Sequence, residues 1–183
     1  MGTVLLALSI ALLAWGVFAF NRLVRLRNQV RTAWADIDVQ LTRRHDLVPP
    51  LVAAVHGYAA HERAALETVT ALRAQALATA SPKALGALEG ELEGALSRLF
   101  ALQESYPDLK ASDNFLQLQR DLVAIEDHLQ YARRFYNGAV RDYNGAVQRV
   151  PDLLIARTFG FAEAEFYQAG ADSRAPVGVG AAP

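Results

Sequence analysis

Glu126, Arg133, Asn137 and Asn144 recur at steps of seven, four and seven. On a helix that spacing gathers a carboxylate, a guanidinium and two amides on one flank. Such a strip can form a polar network that fixes helix register, or contribute to a functional site. Glu62 raises a related question. It stands between Ala59 and Leu66, at a point of an apolar period where a hydrophobe is expected. A carboxylate there needs a partner or must stay neutral. Arg44 and Arg133 are the candidate partners. Two readings stay open: a polar network that fixes helix register, and a metal or small-molecule site built on His61, Glu62, Glu126 and Arg133.

The chemistry that remains is narrow. Di-metal helical bundles use paired Glu-x-x-His motifs, whereas Glu126 is followed by His128, one residue too early. His61-Glu62 begins like a zinc-protease helix, but Ala65 stands where the second histidine belongs. His56 and His61 are five apart and point to different sides of a helix. No glycine-rich phosphate loop and no Gly-x-Ser-x-Gly turn occur. The absence of cysteine removes thiol catalysis, thiolate metal sites and disulfides. A net charge of -1 gives no global field for nucleic acid. The expectation is a non-enzymatic protein without cofactor or metal. Glu89, Glu91 and Glu93 read as a solvated helix face.

These side chains must be positioned by helices. Nothing after Asn21 alternates with a strand period, and both Asn-Gly pairs lie inside helical periods. A first helix is expected to run on from the N-terminal apolar stretch to about His45. Pro49-Pro50 should then break it, leaving Val48 extended. A second helix is expected from about Leu51 to Ala80. A third, capped by Ser81, runs to near Glu104. A fourth, capped by Ser112 or Asp113, ends at Pro151, and a short helix follows to near Gly160. The fourth carries a heptad seam from Phe115 to Val150, matched by apolar stripes on the other three. Its end repeats one phrase, Tyr136-Asn-Gly-Ala-Val140 and Tyr143-Asn-Gly-Ala-Val147. Gly138 and Gly145 each cost a helix about 1 kcal/mol relative to alanine. That cost suggests a close neighbour, so Tyr136, Gly138, Tyr143 and Gly145 are candidate packing residues. They would meet helix one of the same or a neighbouring subunit, or else the short helix and tail would cover them.

Gly2 to Phe20 contains no charge. As a helix it would reach ~28 Å, close to the thickness of a bilayer core. A cleaved signal peptide would need a basic start and a small-residue cleavage site. No Lys or Arg precedes this run, and it ends in bulky Phe18 and Phe20. The expectation is a retained transmembrane helix. Arg22, Arg25, Arg27 and Arg31 follow at once, which places the remaining chain in the cytoplasm, with no external sensor domain.

Several phrases together carry a family likeness. They are Trp34-Ala-Asp-Ile-Asp-Val-Gln-Leu-Thr-Arg-Arg-His-Asp-Leu-Val-Pro49, Gly57-Tyr58-Ala-Ala-His61-Glu62, Tyr106-Pro-Asp-Leu-Lys110, and Ala132-Arg133-Arg134-Phe-Tyr136-Asn137. In that order, over roughly residues 20 to 167, the chain resembles the LemA family. The resemblance implies a small bacterial or archaeal membrane protein with an N-terminal anchor and a helical-bundle domain, and supplies no catalytic residues. It implies magnetosome-associated relatives and genes near membrane zinc proteases. One departure is Pro50, where the family usually has an asparagine able to cap the next helix; His56 also replaces a usual lysine. The whole reading is an all-α chain with three parts. Residues 1–20 form a transmembrane anchor, residues 21–160 an antiparallel four-helix bundle, and residues 161–183 a largely disordered tail. The expected role is a self-assembling scaffold at the bacterial inner membrane. Its partners would be the lipid bilayer and a second copy, with no nucleic acid. The alternative is an adaptor or regulator of a membrane-bound protease or other membrane protein.

Overall fold

The computed structural model describes residues 1–168; the tail expected from Gly170 lies outside the described residues. Every regular element among them is helical: α1 (Gly2–Tyr58), α2 (Arg63–Leu77), α3 (Pro82–Ala101), α4 (Pro107–Lys110), α5 (Asp113–Gln148) and α6 (Asp152–Thr158). A single 3-10 turn, Leu102–Glu104, follows α3. The chain forms two compact units. Unit 1 holds Met1–Gln40 and His128–Phe166; unit 2 holds Leu41–Asp127 with Tyr167 and Gln168.

The largest departure from expectation is at Pro49-Pro50, where α1 does not break. A proline removes the N–H that would bond the carbonyl four residues earlier. For Pro49 that carbonyl belongs to His45. Arg73 of α2 reaches it instead, its Nε–H donating to the His45 oxygen at 2.7 Å. For Pro50 the orphaned carbonyl belongs to Asp46, which is exposed to solvent. The helix therefore continues to Tyr58, and the break falls at Ala59–Glu62. Pro50 lies inside a helix rather than at the start of one, so no cap is missing there.

Other boundaries follow local chemistry. Ser81 caps α3, its Oγ accepting the Ala84 N–H at 3.4 Å, with Pro82 in the first turn. Ser112 does the same for Phe115 at the start of α5. After α6, Gly160 takes a φ of 68° and the Phe161 N–H returns to the Ala156 carbonyl, a Schellman turn that reverses the chain.

In unit 2, Val48, Leu51, Val55, Val69, Leu92, Leu99, Leu109 and Phe115 are fully buried in one apolar cluster. Gly86 sits where the backbone of Gln168 crosses α3; a Cβ there would stand 2.2 Å from the Gln168 carbonyl oxygen. In unit 1, Leu23, Ala33 and Ile37 of α1 and Ala139, Val140 and Tyr143 of α5 are buried. Trp34 packs on Tyr136 with ring centroids 5.3 Å apart. The start of α1 is long and apolar enough to cross a membrane, and its Val4, Leu8, Leu12 and Phe18 are exposed.

Candidate functional site

Two polar arrangements stand out, one in each unit. In unit 2 the centre is Glu89 of α3, 0% exposed. One carboxylate oxygen meets His45 Nε2 at 2.6 Å, and the other meets Arg44 Nη1 at 3.3 Å. The same Arg44 nitrogen lies 3.4 Å from Glu126 of α5. An ionised carboxylate only accepts, so with Glu89 charged the His45 Nε2 carries the proton and donates. Arg44 and His45 are adjacent on α1, and the His45 carbonyl is the one that Arg73 holds. Side chain and backbone of one short segment are thus tied to α2 and α3, with Glu126 supplying α5.

This arrangement corrects two sequence-based expectations. Glu89 is not on a solvated face. Among the seven buried positions of α3, Leu85, Glu89, Leu92, Leu96 and Leu99 form an unbroken alternation of four and three, with Gly86 and Ala95 beside them. The signal was present: Glu89 stands four residues after Leu85 and three before Leu92. Glu62, conversely, is not in a helical seam. It is the N-cap residue of α2, half-buried, and accepts a hydrogen bond from the Tyr106 hydroxyl at 3.2 Å. Its partner is a phenol rather than Arg44 or Arg133. Burial, together with the Glu62 carboxylate, pushes the Tyr106 hydroxyl above its ordinary pKa. Glu62 and Glu126 have separate partners, and among the described residues no three His, Asp or Glu side chains gather as a metal site would require.

Unit 1 explains the repeated phrase. Beyond Gly160 the chain returns along α5 as an extended strap, residues 161–166. Tyr143 donates its hydroxyl to the Ala162 carbonyl at 2.9 Å, and Tyr136 donates to the Glu165 carbonyl at 2.8 Å. Between them the Asn144 amide bonds Ala164 twice. Nδ2 donates to the carbonyl at 2.9 Å, and Oδ1 accepts the N–H at 2.8 Å. An extended backbone without a neighbouring strand leaves its polar groups unsatisfied. Here side chains of α5 replace the ladder. The sequence reading assigned Phe161 onward to the tail. Instead Phe161 is buried, beneath the Arg27 guanidinium at 4.9 Å and beside Phe20.

Burial pushes the Tyr136 and Tyr143 hydroxyls above their ordinary range. Glu165 adds to the effect at Tyr136, and Arg27 and Arg31 partly oppose it at Tyr143. Gly138 and Gly145 do not mark a close approach among the described residues, because a Cβ at either would meet nothing of them within 4 Å. Arg133 is buried and Asn137 half-buried on the same helix.

The sequence pattern of the LemA family matches residues 33–180. The chain belongs to the LemA family. Both polar arrangements lie inside the matched stretch of this LemA-family chain, whereas its apolar start lies outside. Over 176 residues it is 26% identical to Protein LemA of Metamycoplasma hominis, covering 91% of this chain and 79% of that protein. It is 35% identical over 86 residues to magnetosome protein MamQ 2 of Paramagnetospirillum magneticum, and 32% identical over 85 residues to magnetosome protein MamQ of Magnetospirillum gryphiswaldense. These matches cover 47% and 46% of this chain but 32% and 31% of the two relatives. The chain thus spans about a third of the length of the magnetosome relatives.

Proposed function

We propose that this is a non-enzymatic, single-pass protein of the bacterial inner membrane whose cytoplasmic helices, packed as antiparallel bundles, form a self-assembling scaffold. The carrying observation is a groove on unit 1 between α1 and α5, about 320 Å³, lined by Asp36, Val39, Gln40, His128, Tyr131, Ala132 and Phe135. Tyr131 is 69% exposed and Phe135 51%. Exposed aromatic side chains beside Asp36, Gln40 and His128 suit contact with another protein. The buried charges of unit 2 are engaged with one another, which supports a structural role for them. Ala7, Ala11 and Ala14 along one side of the apolar stretch would let two anchors approach. Arg22, Arg25, Arg27 and Arg31 support the cytoplasmic orientation.

Mass photometry of the full chain in mild detergent tests the assembly. Wild type should form oligomers, and Tyr131→Glu with Phe135→Glu should shift them to monomer. A wild type that stays monomeric at all concentrations would overturn self-assembly. The groove would then serve as an adaptor surface for a membrane-bound protease or other membrane protein. A reporter fused after Gly170 should behave as cytoplasmic, and strong activity of a periplasm-only reporter there would reverse the orientation.

A further inference from the structure

We infer that α6 and its flanking residues are a second lipid-contacting surface, an interfacial anchor beside the membrane span, with an arginine-lined recess for the phosphate of an anionic lipid. The inference rests on the reading of Gly2–Phe20 as that span.

Position is the first argument. Ile155 Cδ1 of α6 lies 3.9 Å from where a Cβ on Gly16 would stand, one turn before the apolar stretch ends at Phe20. The Phe20 ring meets Phe159 at 4.9 Å and Phe161 at 5.7 Å, both edge-on. Just beyond, Arg22 holds Asp152 at the start of α6 at 2.6 Å. The short helix is therefore clamped at the level where hydrocarbon gives way to headgroups.

Chemistry is the second. Facing away from the protein are Val150, Leu154 and Phe159, 70%, 60% and 59% exposed. They lie beside an apolar stretch whose Val17 and Phe18 are also exposed. In water this patch would be unfavourable; in the acyl boundary it is the apolar side of an interfacial helix. The polar counterpart is a recess of about 410 Å³ lined by Arg22, Leu26, Arg141, Asp142, Gly145, Ala146 and Arg149. Arg141 and Arg149 are exposed, and neither forms an ion pair among the described residues. Asp142 is the opposing charge in the lining, since Asp152 is committed to Arg22. With Arg22 already paired to Asp152, the two exposed guanidinium groups of Arg141 and Arg149 suit a phosphate ester, through bidentate hydrogen bonds and charge.

The chain has no cysteine, so single-cysteine labelling of the full protein in nanodiscs tests the inference. Leu154→Cys and Phe159→Cys carry an environment-sensitive fluorophore. Phe18→Cys marks the span and Val123→Cys an exposed site in unit 2. Nitroxide on lipid acyl chains should quench positions 154 and 159 several-fold more than 123, approaching position 18. Quenching of 154 and 159 by aqueous iodide to the level of 123, with 18 protected, would overturn the anchor alone. Iodide access to position 18 would instead overturn the span itself, and the anchor with it. For the recess, adding phosphatidylglycerol to phosphatidylcholine discs should raise lipid quenching at 154, and Arg141→Gln with Arg149→Gln should abolish that increment. An increment that survives the double substitution overturns the phosphate site. An increment that millimolar inorganic phosphate erases assigns the recess to free phosphate rather than lipid and overturns it as a lipid site.

Discussion

In unit 2 the buried network is built on the Arg44 and Glu89 charges and joins helix to helix; in unit 1 the groups that hold the extended strap to its helix, the Asn144 amide and the Tyr136 and Tyr143 hydroxyls, are neutral. Glu89, Arg44, His45 and Glu126 come from three helices, and each needs the others to be tolerable out of water. Asn144, Tyr136 and Tyr143 come from one helix and serve backbone groups that any strap sequence would present. Charge selects particular partners, whereas amide and hydroxyl groups hold a backbone conformation whatever the side chains it carries. The first device suits helix register, and the second suits a segment lacking a strand neighbour.

The sharpest way to break this contrast is Glu89→Ala. Removing the Glu89 carboxylate strands His45 and leaves buried Arg44 only the partly exposed Glu126, which should cost about 3–5 kcal/mol, read as a lowered denaturation midpoint of the full chain in detergent. Half-buried Glu62→Ala should cost much less. Equal losses would mean that burial does not separate the two carboxylates. Next is Gly86→Ala. Its methyl would meet the Gln168 backbone, and overpacking of this kind costs about 1–3 kcal/mol. Asn144→Ala should cost a similar or smaller amount, about 1–3 kcal/mol, by leaving both backbone groups of Ala164 unpaired. Its effect should be local: faster amide exchange at Ala164, with Glu89-linked helices unchanged. Gly138→Ala should go the other way and stabilise by about 0.5–1 kcal/mol, because it removes chain entropy without a clash. A loss there would reveal a neighbour pressed against that face.

The mildest test is alkaline pH. Tyr136 and Tyr143 hold their protons above the ordinary value of 10.0 in the folded protein. The unfolded chain releases them first, so their contribution is complete below pH 10 and declines as pH rises through the folded values. Strap protection in hydrogen exchange should fall above pH 10. Tyr136→Phe with Tyr143→Phe should flatten that dependence, and an equally steep fall in the double variant would place its origin elsewhere.

The helical class, the apolar start, the Ser81 and Ser112 caps and most seam positions were legible because each depends on local pattern. Arg44, Glu126 and Asn144 were legible as polar groups beside apolar seams. Their partners were not, because partners are set by packing. A run of three acidic residues looks solvated until the phase of α3 is taken from Leu85 and Leu92. Glu62 looked buried because an apolar period crosses the turn at Ala59–Glu62 without interruption. Cover of Tyr136 and Tyr143 by the short helix and tail was legible only as one alternative, because the strap's hold on α5 is through its backbone, which carries no sequence signal. The Pro49-Pro50 pair misled for a related reason. A proline predicts a lost hydrogen bond, but not the arginine 24 positions later that restores it.

That restored bond sets an order on how the sequence can change. With Pro49 in place, the His45 carbonyl depends on Arg73, so losing the arginine first strands a buried acceptor. Losing the proline first returns a backbone N–H to the same oxygen, after which position 73 is free to vary. The path from proline-arginine to neither is passable in one direction and obstructed in the other. Descendants of a chain like this one should therefore contain arginine without proline more readily than proline without arginine.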